Sequence, residues 1–369
     1  MKFLCTKSNL LKGVSIASKA VPSKTTMPIL ECFLINAYGS TIKITANDME
    51  IGIETVIDGT VIENGSIAVN ARLFSDIIRK LPDNEICIQM IENNQIKITC
   101  EKAKFVIGYK NIQEFSALPD VLKSKSIVIS QYYLKKIIGQ TIFSIAEGES
   151  NILMTGECFE VNGNNLKVTA LDACRISIRN ITLKENYGKT KCIVPGKTLN
   201  DLTRIIEGDM DKDVNIYFSN NHIMFEFENT KVVSRVIEGE FFKIDQMLSF
   251  DYQVKVRANK NELYDSIDRA TLLINESDKK PIVMDIKDEN ISIRMKSFAG
   301  TMNEEVEILK EGKDLMIAFN PKFIKDALKA IDDEEITMYM VNAKNPCIIK
   351  DDNESFIYMI LPVNFIPEV

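Results

Sequence analysis

The sequence has a single histidine, His222, among its 369 residues. It stands in Ser219-Asn220-Asn221-His222, a polar stretch between alternating runs that reads as a hairpin turn. Ser-His-Asp triads, Cys-His pairs and histidine-metal centres would all have to rest on that one residue, so these chemistries are set aside. The eight cysteines contain no C-x-x-C and no paired spacing, which excludes a disulfide framework or a zinc site and makes them reduced, buried, small apolar residues. Glycine (16) and proline (10) are scarce, and 26% of residues are charged, so collagenous, mucin-like and largely disordered chains are excluded. No stretch approaches the roughly 20 apolar residues of a membrane-spanning helix. The apolar run in Met1-Lys2-Phe3-Leu4-Cys5-Thr6-Lys7 is far shorter than a signal-peptide core. A cytoplasmic location is expected, with no membrane partner.

What is present is repetition. Ile42-Lys43-Ile44-Thr45-Ala46-Asn47-Asp48 recurs as Leu166-Lys167-Val168-Thr169-Ala170-Leu171-Asp172, and more weakly as Ile291-Ser292-Ile293-Arg294-Met295-Lys296-Ser297. Each is an alternating strand that runs into a small turn. Three helix starts keep the same step of about 125 residues: Val69-Asn70-Ala71-Arg72, Val194-Pro195-Gly196-Lys197 and Phe319-Asn320-Pro321-Lys322. Two strands follow each of them. Another helix opens each unit, over residues 8–20, 131–146 and 260–274, with apolar stripes such as Leu10, Leu11, Val14, Ile16 and Ala17. A chain of this length predicts two or three domains, and the period makes it three. The expected fold class is α+β, three tandem copies of a domain with two helices backed by antiparallel sheets, over residues 1–122, 123–249 and 250–369. Linkers are expected near 120–126 and 246–253, where both patterns lapse. Units this long close cores of their own, unlike solenoid repeats of 20 to 50 residues.

The net charge of −7 argues against a protein coated in nucleic acid until its distribution is considered. Five of the six predicted helices are net positive. Together the six carry +9, which leaves −16 for the rest of the chain. Equivalent helices of a repeat share one face, so an acidic protein here presents a basic helical surface.

With these features in hand, the segments Met1-Lys2-Phe3, Pro28-Ile29-Leu30, Thr45-Ala46-Asn47-Asp48 and Tyr358-Met359-Ile360-Leu361-Pro362-Val363 resemble, in order and spacing, the bacterial DNA polymerase III β subunit family of sliding clamps, over the whole chain. The resemblance implies DNA-clamp domains in a head-to-tail homodimer, a six-domain ring around double-stranded DNA that confers processivity on the replicative polymerase without catalysis. Twelve helices packed about 10 Å apart give a circumference on the order of 120 Å and a diameter near ~38 Å. Subtracting one helix width of about 10 Å leaves a hole of roughly 28 Å, wide enough for a duplex with water between. Lysines that face phosphates through water attract DNA without reading sequence. Lys12, Arg72, Lys135, Lys136, Lys197, Arg204 and Lys322 are the expected lining, with Lys24 at a position where the family carries a DNA-contacting basic residue. The loop Glu147-Gly148-Glu149-Ser150 matches another DNA-facing family position but is acidic here.

The resemblance also implies a hydrophobic pocket between the second and third domains that captures short peptide motifs of DNA polymerases, the clamp loader and other replication and repair proteins. It maps to Met154, Leu171, Ala173, Cys174, Arg175, Ile176, Phe242, Met247, Met359, Leu361, Pro362 and Val363. Asp172-Ala173-Cys174-Arg175-Ile176 and Phe241-Phe242-Lys243-Ile244 depart from the family's common pattern, which implies an altered pocket shape and peptide preference. Leu272 and Leu273 match apolar positions at the ring interface. The chain continues past the familiar end through residues 364–369.

The alternative is a metal-dependent phosphodiester-acting enzyme built on Asp48 and Asp172. These are copies of one turn position, however, and the third copy is Ser297, so a structural role is favoured. Gly-Lys-Thr occurs at 188–190 and 196–198. Neither copy has the glycine five positions earlier that a phosphate-binding loop needs, because those positions hold Leu183 and Lys191. A structural or adhesion repeat protein would need an export signal. Neither a metal nor a cofactor is expected.

Overall fold

The structure is a computed structural model that describes residues 1–123, 126–148, 151–248, 251–274 and 280–365. Parts of both expected linkers, Glu149 and Ser150 of the acidic loop, and residues 366–369 lie outside the described residues. Seven α-helices are present among them: α1 (Lys7–Ala17), α2 (Ala71–Lys80), α3 (Gln131–Gly139), α4 (Gly196–Ile205), α5 (Asp245–Leu248), α6 (Lys260–Thr271) and α7 (Pro321–Ala330).

Repetition in the sequence becomes repetition of local chemistry. The first helix of each repeat starts behind a side chain that accepts a backbone N–H of the first turn, which satisfies an otherwise orphan donor. Thr6 Oγ1 accepts from Asn9 N at 3.2 Å, Ser130 Oγ from Tyr133 N at 3.3 Å, and Asn259 Oδ1 from Glu262 N at 3.1 Å. Asn70 and Asn320 cap α2 and α7 in the same way, each at 3.0 Å. In the middle repeat Gly196 opens α4, where a Cβ would stand 2.3 Å from Ile145 Cδ1 and 2.9 Å from Thr155 O. Glycine is required there by close packing. The first helices are shorter than their periodicity predicts. The 131–146 stretch is α3 followed by a separate turn of 3₁₀-helix at Ile142–Ser144, and the 260–274 stretch is helical only to Thr271.

Every strand pairing among the described residues is antiparallel, in three sheets. One orders its strands Thr60–Glu63, Lys2–Thr6, Glu85–Ile91, Gln95–Cys100, Ala103–Gly108. A second runs Ser126–Ser130, Asp213–Phe218, His222–Phe227, Thr230–Arg235, Ile51–Ile57, Thr41–Asn47, Cys32–Tyr38, Gly65–Asn70. The third has ten strands: Gly156–Leu171, Arg175–Pro195, Phe356–Ile360, Cys347–Lys350, Glu335–Met340, Val254–Asn259, Gly300–Gly312, Asn290–Ser297, Ile282–Lys287, Leu315–Phe319. Two of these sheets join strands of neighbouring repeats. Thr230 pairs with Thr55, their hydroxyls 2.9 Å apart, and Arg179 pairs with Phe356. The chain accordingly divides into two compact units, residues 1–134 with 197–236 and residues 135–196 with 237–369, and the central repeat contributes to both.

Within the first unit α1 buries Leu10, Val14 and Ala17, while α2 buries Phe74, Ile77 and Ile78, with Phe74 edge-on to Phe33 at 6.5 Å. In the second, Leu263, Ile267 and Ala270 of α6 and Ile324, Ala327 and Leu328 of α7 share one core with the inward residues of the sheet. Burial of one apolar stripe per helix leaves the lysine-bearing faces outside the core. All eight cysteines are free. Cys174 is exposed and Cys87 and Cys192 are half-buried, so the expectation of uniformly buried thiols fails at those positions.

Candidate nucleic-acid interface and partner pocket

The aspartates of the enzyme alternative are consumed locally. Asp48 Oδ1 accepts the backbone N–H groups of Glu50 and Ile51 at 3.0 and 2.7 Å, and Asp172 Oδ1 accepts those of Cys174 and Arg175 at 2.7 and 2.9 Å. Ser297 Oγ accepts from Ala299 N at 3.1 Å. All three are the same side-chain-closed turn, the arrangement Asp and Ser adopt most readily. Among the described residues no group of three or more His, Cys, Asp or Glu is placed to hold a metal. Gly188-Lys189-Thr190 lies within the strand Arg175–Pro195 and not in a loop. His222 sits at the hairpin, with its N–H donated to Ser219 Oγ at 3.2 Å.

The expected cationic residues are on the faces their helices leave outside the core. Lys12, Lys24, Arg72, Lys135, Lys197, Arg204 and Lys322 are exposed and Lys136 is half-buried. In the first unit Lys12, Arg72 and Arg204 converge with Lys19 and Arg79, which the sequence reading left out, around a cleft of about 640 Å³ whose one acid is Asp76. In the second, Lys135 and Lys136 meet Lys329 at a cleft of about 470 Å³ that also holds Asp326 and Asp332. Sequence reasoning missed the carboxylates that hold these cations. Lys12 Nζ is 3.1 Å from Glu207, Lys136 Nζ 2.7 Å from Asp332, Lys322 Nζ 3.6 Å from Glu147, and Lys197 is paired with Asp48. Hydrogen bonds from Lys212 and Lys12 hold the Glu207 carboxyl below its usual range. At Asp332 burial pushes upward, but hydrogen bonds and charge from Lys136 and the amide of Gln140 outweigh it and the carboxyl is again held low.

Of the expected pocket residues, Leu171, Ile176 and Met359 are buried in one apolar cluster, against which Met154 and Phe242 pack from the rim. Strand register makes this patch: Leu171 is opposite Ile176, and Ile176 is opposite Met359, so the three share one face of the sheet. Phe241, Ile244 and Leu248 lie over it. The expected pocket omits these three, although Phe241 and Ile244 are the first and last residues of the motif Phe241-Phe242-Lys243-Ile244. Leu361 N donates to Cys174 O at 2.8 Å, which ties the Leu361, Pro362, Val363 segment to the exposed Ala173–Cys174 turn, and Val363 N donates to Ala318 O at 2.8 Å, which ties it to the strand Leu315–Phe319. Met247 and Val363 are exposed. Arg175 is only 5% exposed, and its guanidinium donates to Asp172 at 3.0 Å, to Asp326 at 2.7 Å and to the Phe143 carbonyl, and stacks 4.4 Å from the Phe323 ring.

At the expected interface Leu272 is 81% exposed, while Leu273 packs partly against the core. Phe298, which the sequence reading omitted, is fully exposed at the turn after Asn290–Ser297. On the first unit Ala103–Gly108, an edge strand with no strand on its outer side among the described residues, exposes Phe105 and Val106.

Tandem domains with basic helical faces and an apolar patch on the sheet are the architecture of a DNA clamp. Residues 1–119, 128–243 and 246–364 match, in that order, the N-terminal, central and C-terminal domains of the DNA polymerase III beta subunit. The chain belongs to the DNA polymerase III beta subunit family. It is 33% identical to the beta sliding clamp of Staphylococcus epidermidis over 98% of this chain and 99% of that one. A putative DNA polymerase III beta subunit from Eubacterium rectale superposes with a TM-score of 0.97 at 60% identity, covering 99% of each chain. The Bacillus subtilis DNA polymerase sliding clamp superposes at 0.96 with 30% identity, covering 99% of this chain and 100% of that one. The chain is therefore a sliding clamp, a non-catalytic processivity factor that acts with DNA and DNA polymerases, and nothing supports the phosphodiester-acting alternative.

Proposed function

We propose that two copies associate head to tail into a six-domain ring, that duplex DNA passes through it, and that the cationic residues named above face the phosphates. The observation that carries this reading is the repeat-wise placement of cations on helix faces outside the core. Binding of this kind is sequence-independent and salt-sensitive. Exposed Leu272 and Phe298 on the second unit, and the edge strand bearing Phe105 and Val106 on the first, are two different apolar surfaces. A heterologous contact between them closes into a ring when the rotation permits.

The apolar patch of Leu171, Ile176, Met359, Met154 and Phe242 is the docking site for short peptide segments of DNA polymerases, the clamp loader and repair proteins. Large half-buried apolar groups at the rim of a buried floor are what a peptide anchor fills. The protein works in the cytoplasm, as three clamp domains over residues 1–122, 123–249 and 250–369. Primer extension on a long circular template by the cognate replicative polymerase and loader tests the reading. Products per binding event lengthen when this protein is added, and Phe242→Ala removes the gain. Unchanged product length on addition of the wild type contradicts it.

A further inference from the structure

Two of the ion pairs on the cationic faces are copies of each other. Lys12 of α1 is paired with Glu207, which follows α4, and Lys136 of α3 is paired with Asp332, which follows α7. Lys136 stands 124 residues after Lys12, and Asp332 stands 125 after Glu207. The repeat thus reproduces the carboxylate that engages the lysine along with the lysine itself. Lys197 with Asp48 and Lys322 with Glu147 are further pairs on the second helices, although their carboxylates, 99 residues apart, are not copies of one position. Glu207 and Asp332 are both solvent-accessible, and ion pairs at the surface contribute little to folding, so fold stability does not account for their recurrence.

We propose that these carboxylates set how loosely the clamp holds DNA. Each competes with phosphate for the same ammonium group, so a passing duplex exchanges one partner for another and the net gain per contact stays small. Asp332 is the most informative member, because it accepts from Lys136 at 2.7 Å and from Gln140 Nε2 at 3.1 Å, and so holds the ammonium at a fixed place. The inference rests on the reading that Lys136 faces DNA.

The test is equilibrium binding of a labelled 24-base-pair duplex to the full-length protein across a salt series, with Asp332→Asn, Lys136→Ala, the double variant, and Asp333→Asn as a control that makes the same charge change one residue away. Asp332→Asn tightens binding about two- to five-fold and steepens the salt dependence by roughly one phosphate contact. Asp333→Asn does much less, and the effect of Asp332→Asn disappears once Lys136 is alanine. Equal tightening by both asparagine variants, or tightening that survives in the Lys136→Ala background, overturns the proposal by reducing it to general charge. If Lys136→Ala changes binding in neither background, the DNA-facing reading of Lys136 itself fails, and the proposal with it. Circular dichroism melts of each variant confirm that all four fold.

Discussion

Arg175 donates from Nη1 to Asp326 Oδ2 at 2.7 Å, a bond between the first residue of a strand that floors the apolar patch and the middle of α7. With Asp172, the Phe143 carbonyl and the Phe323 ring also engaged, this guanidinium has a partner on every side. Removing one member of a buried ion pair leaves the other uncompensated and costs about 3–5 kcal/mol. Arg175→Ala is expected to lower the urea-unfolding free energy by an amount in that range. Arg175→Lys recovers little of it, because a point charge supplies neither the fork nor the stacking.

Glu157 is completely buried, with Thr141 Oγ1 2.7 Å from one carboxyl oxygen and no partner for the other among the described residues. Burial pushes its pKa well up, and the Thr141 hydroxyl only partly opposes this. The folded state therefore keeps a proton that the unfolded chain releases at about pH 4.3. This contribution is fully present below that pH and is lost as pH climbs toward the raised folded value, at a slope of at most about 1.4 kcal/mol per pH unit. Glu157→Gln is expected to be more stable than wild type at neutral pH and to flatten the stability profile above pH 5. Unfolding curves at several pH values check this, and parallel wild-type and variant profiles would contradict it.

Leu272 projects almost wholly into solvent at the end of α6. In the proposed head-to-tail ring a partner surface covers it. Leu272→Asp places a charge in that interface and is expected to give monomers, read as the mass from light scattering. A mass that still equals the dimer at low micromolar concentration rejects the assignment.

Much of the fold was legible because its determinants are local. The capping residues Thr6, Asn70, Asn259 and Asn320, and the turns closed by Asp48 and Asp172, need only neighbours within three residues, so the repeat displays them directly. The apolar patch was half legible. The family resemblance implies Leu171, Ile176 and Met359, whereas the packing of Phe241, Ile244 and Leu248 against them depends on where the segment 241–248 folds. Charge counted helix by helix hid Glu207, Asp332 and Glu147, because each lies just outside the helices counted and meets its lysine only after folding. The family resemblance puts Arg175 at the pocket, whereas the bond of its guanidinium to Asp326, some 150 residues away in sequence, is set only by folding. The sheets that run across repeat boundaries were likewise invisible, since a strand's own pattern does not name its neighbour.

A patch whose floor is fixed by strand register tolerates change at its rim. Phe242→Ala removes an aromatic group that is only partly buried, so it is expected to leave thermal stability within about 1 kcal/mol while weakening capture of the cognate polymerase more than ten-fold in surface plasmon resonance. Equal loss of stability and of binding would place Phe242 in the core and not at a docking surface.

In the proposed ring DNA is held by enclosure and not by contact strength. Loading the protein onto a nicked circular duplex, washing at moderate salt and then cutting the circle once tests this most directly. The account predicts that protein stays on the closed circle and is released within minutes of linearisation. Equal retention on the circle and on the cut linear duplex with free ends would contradict it.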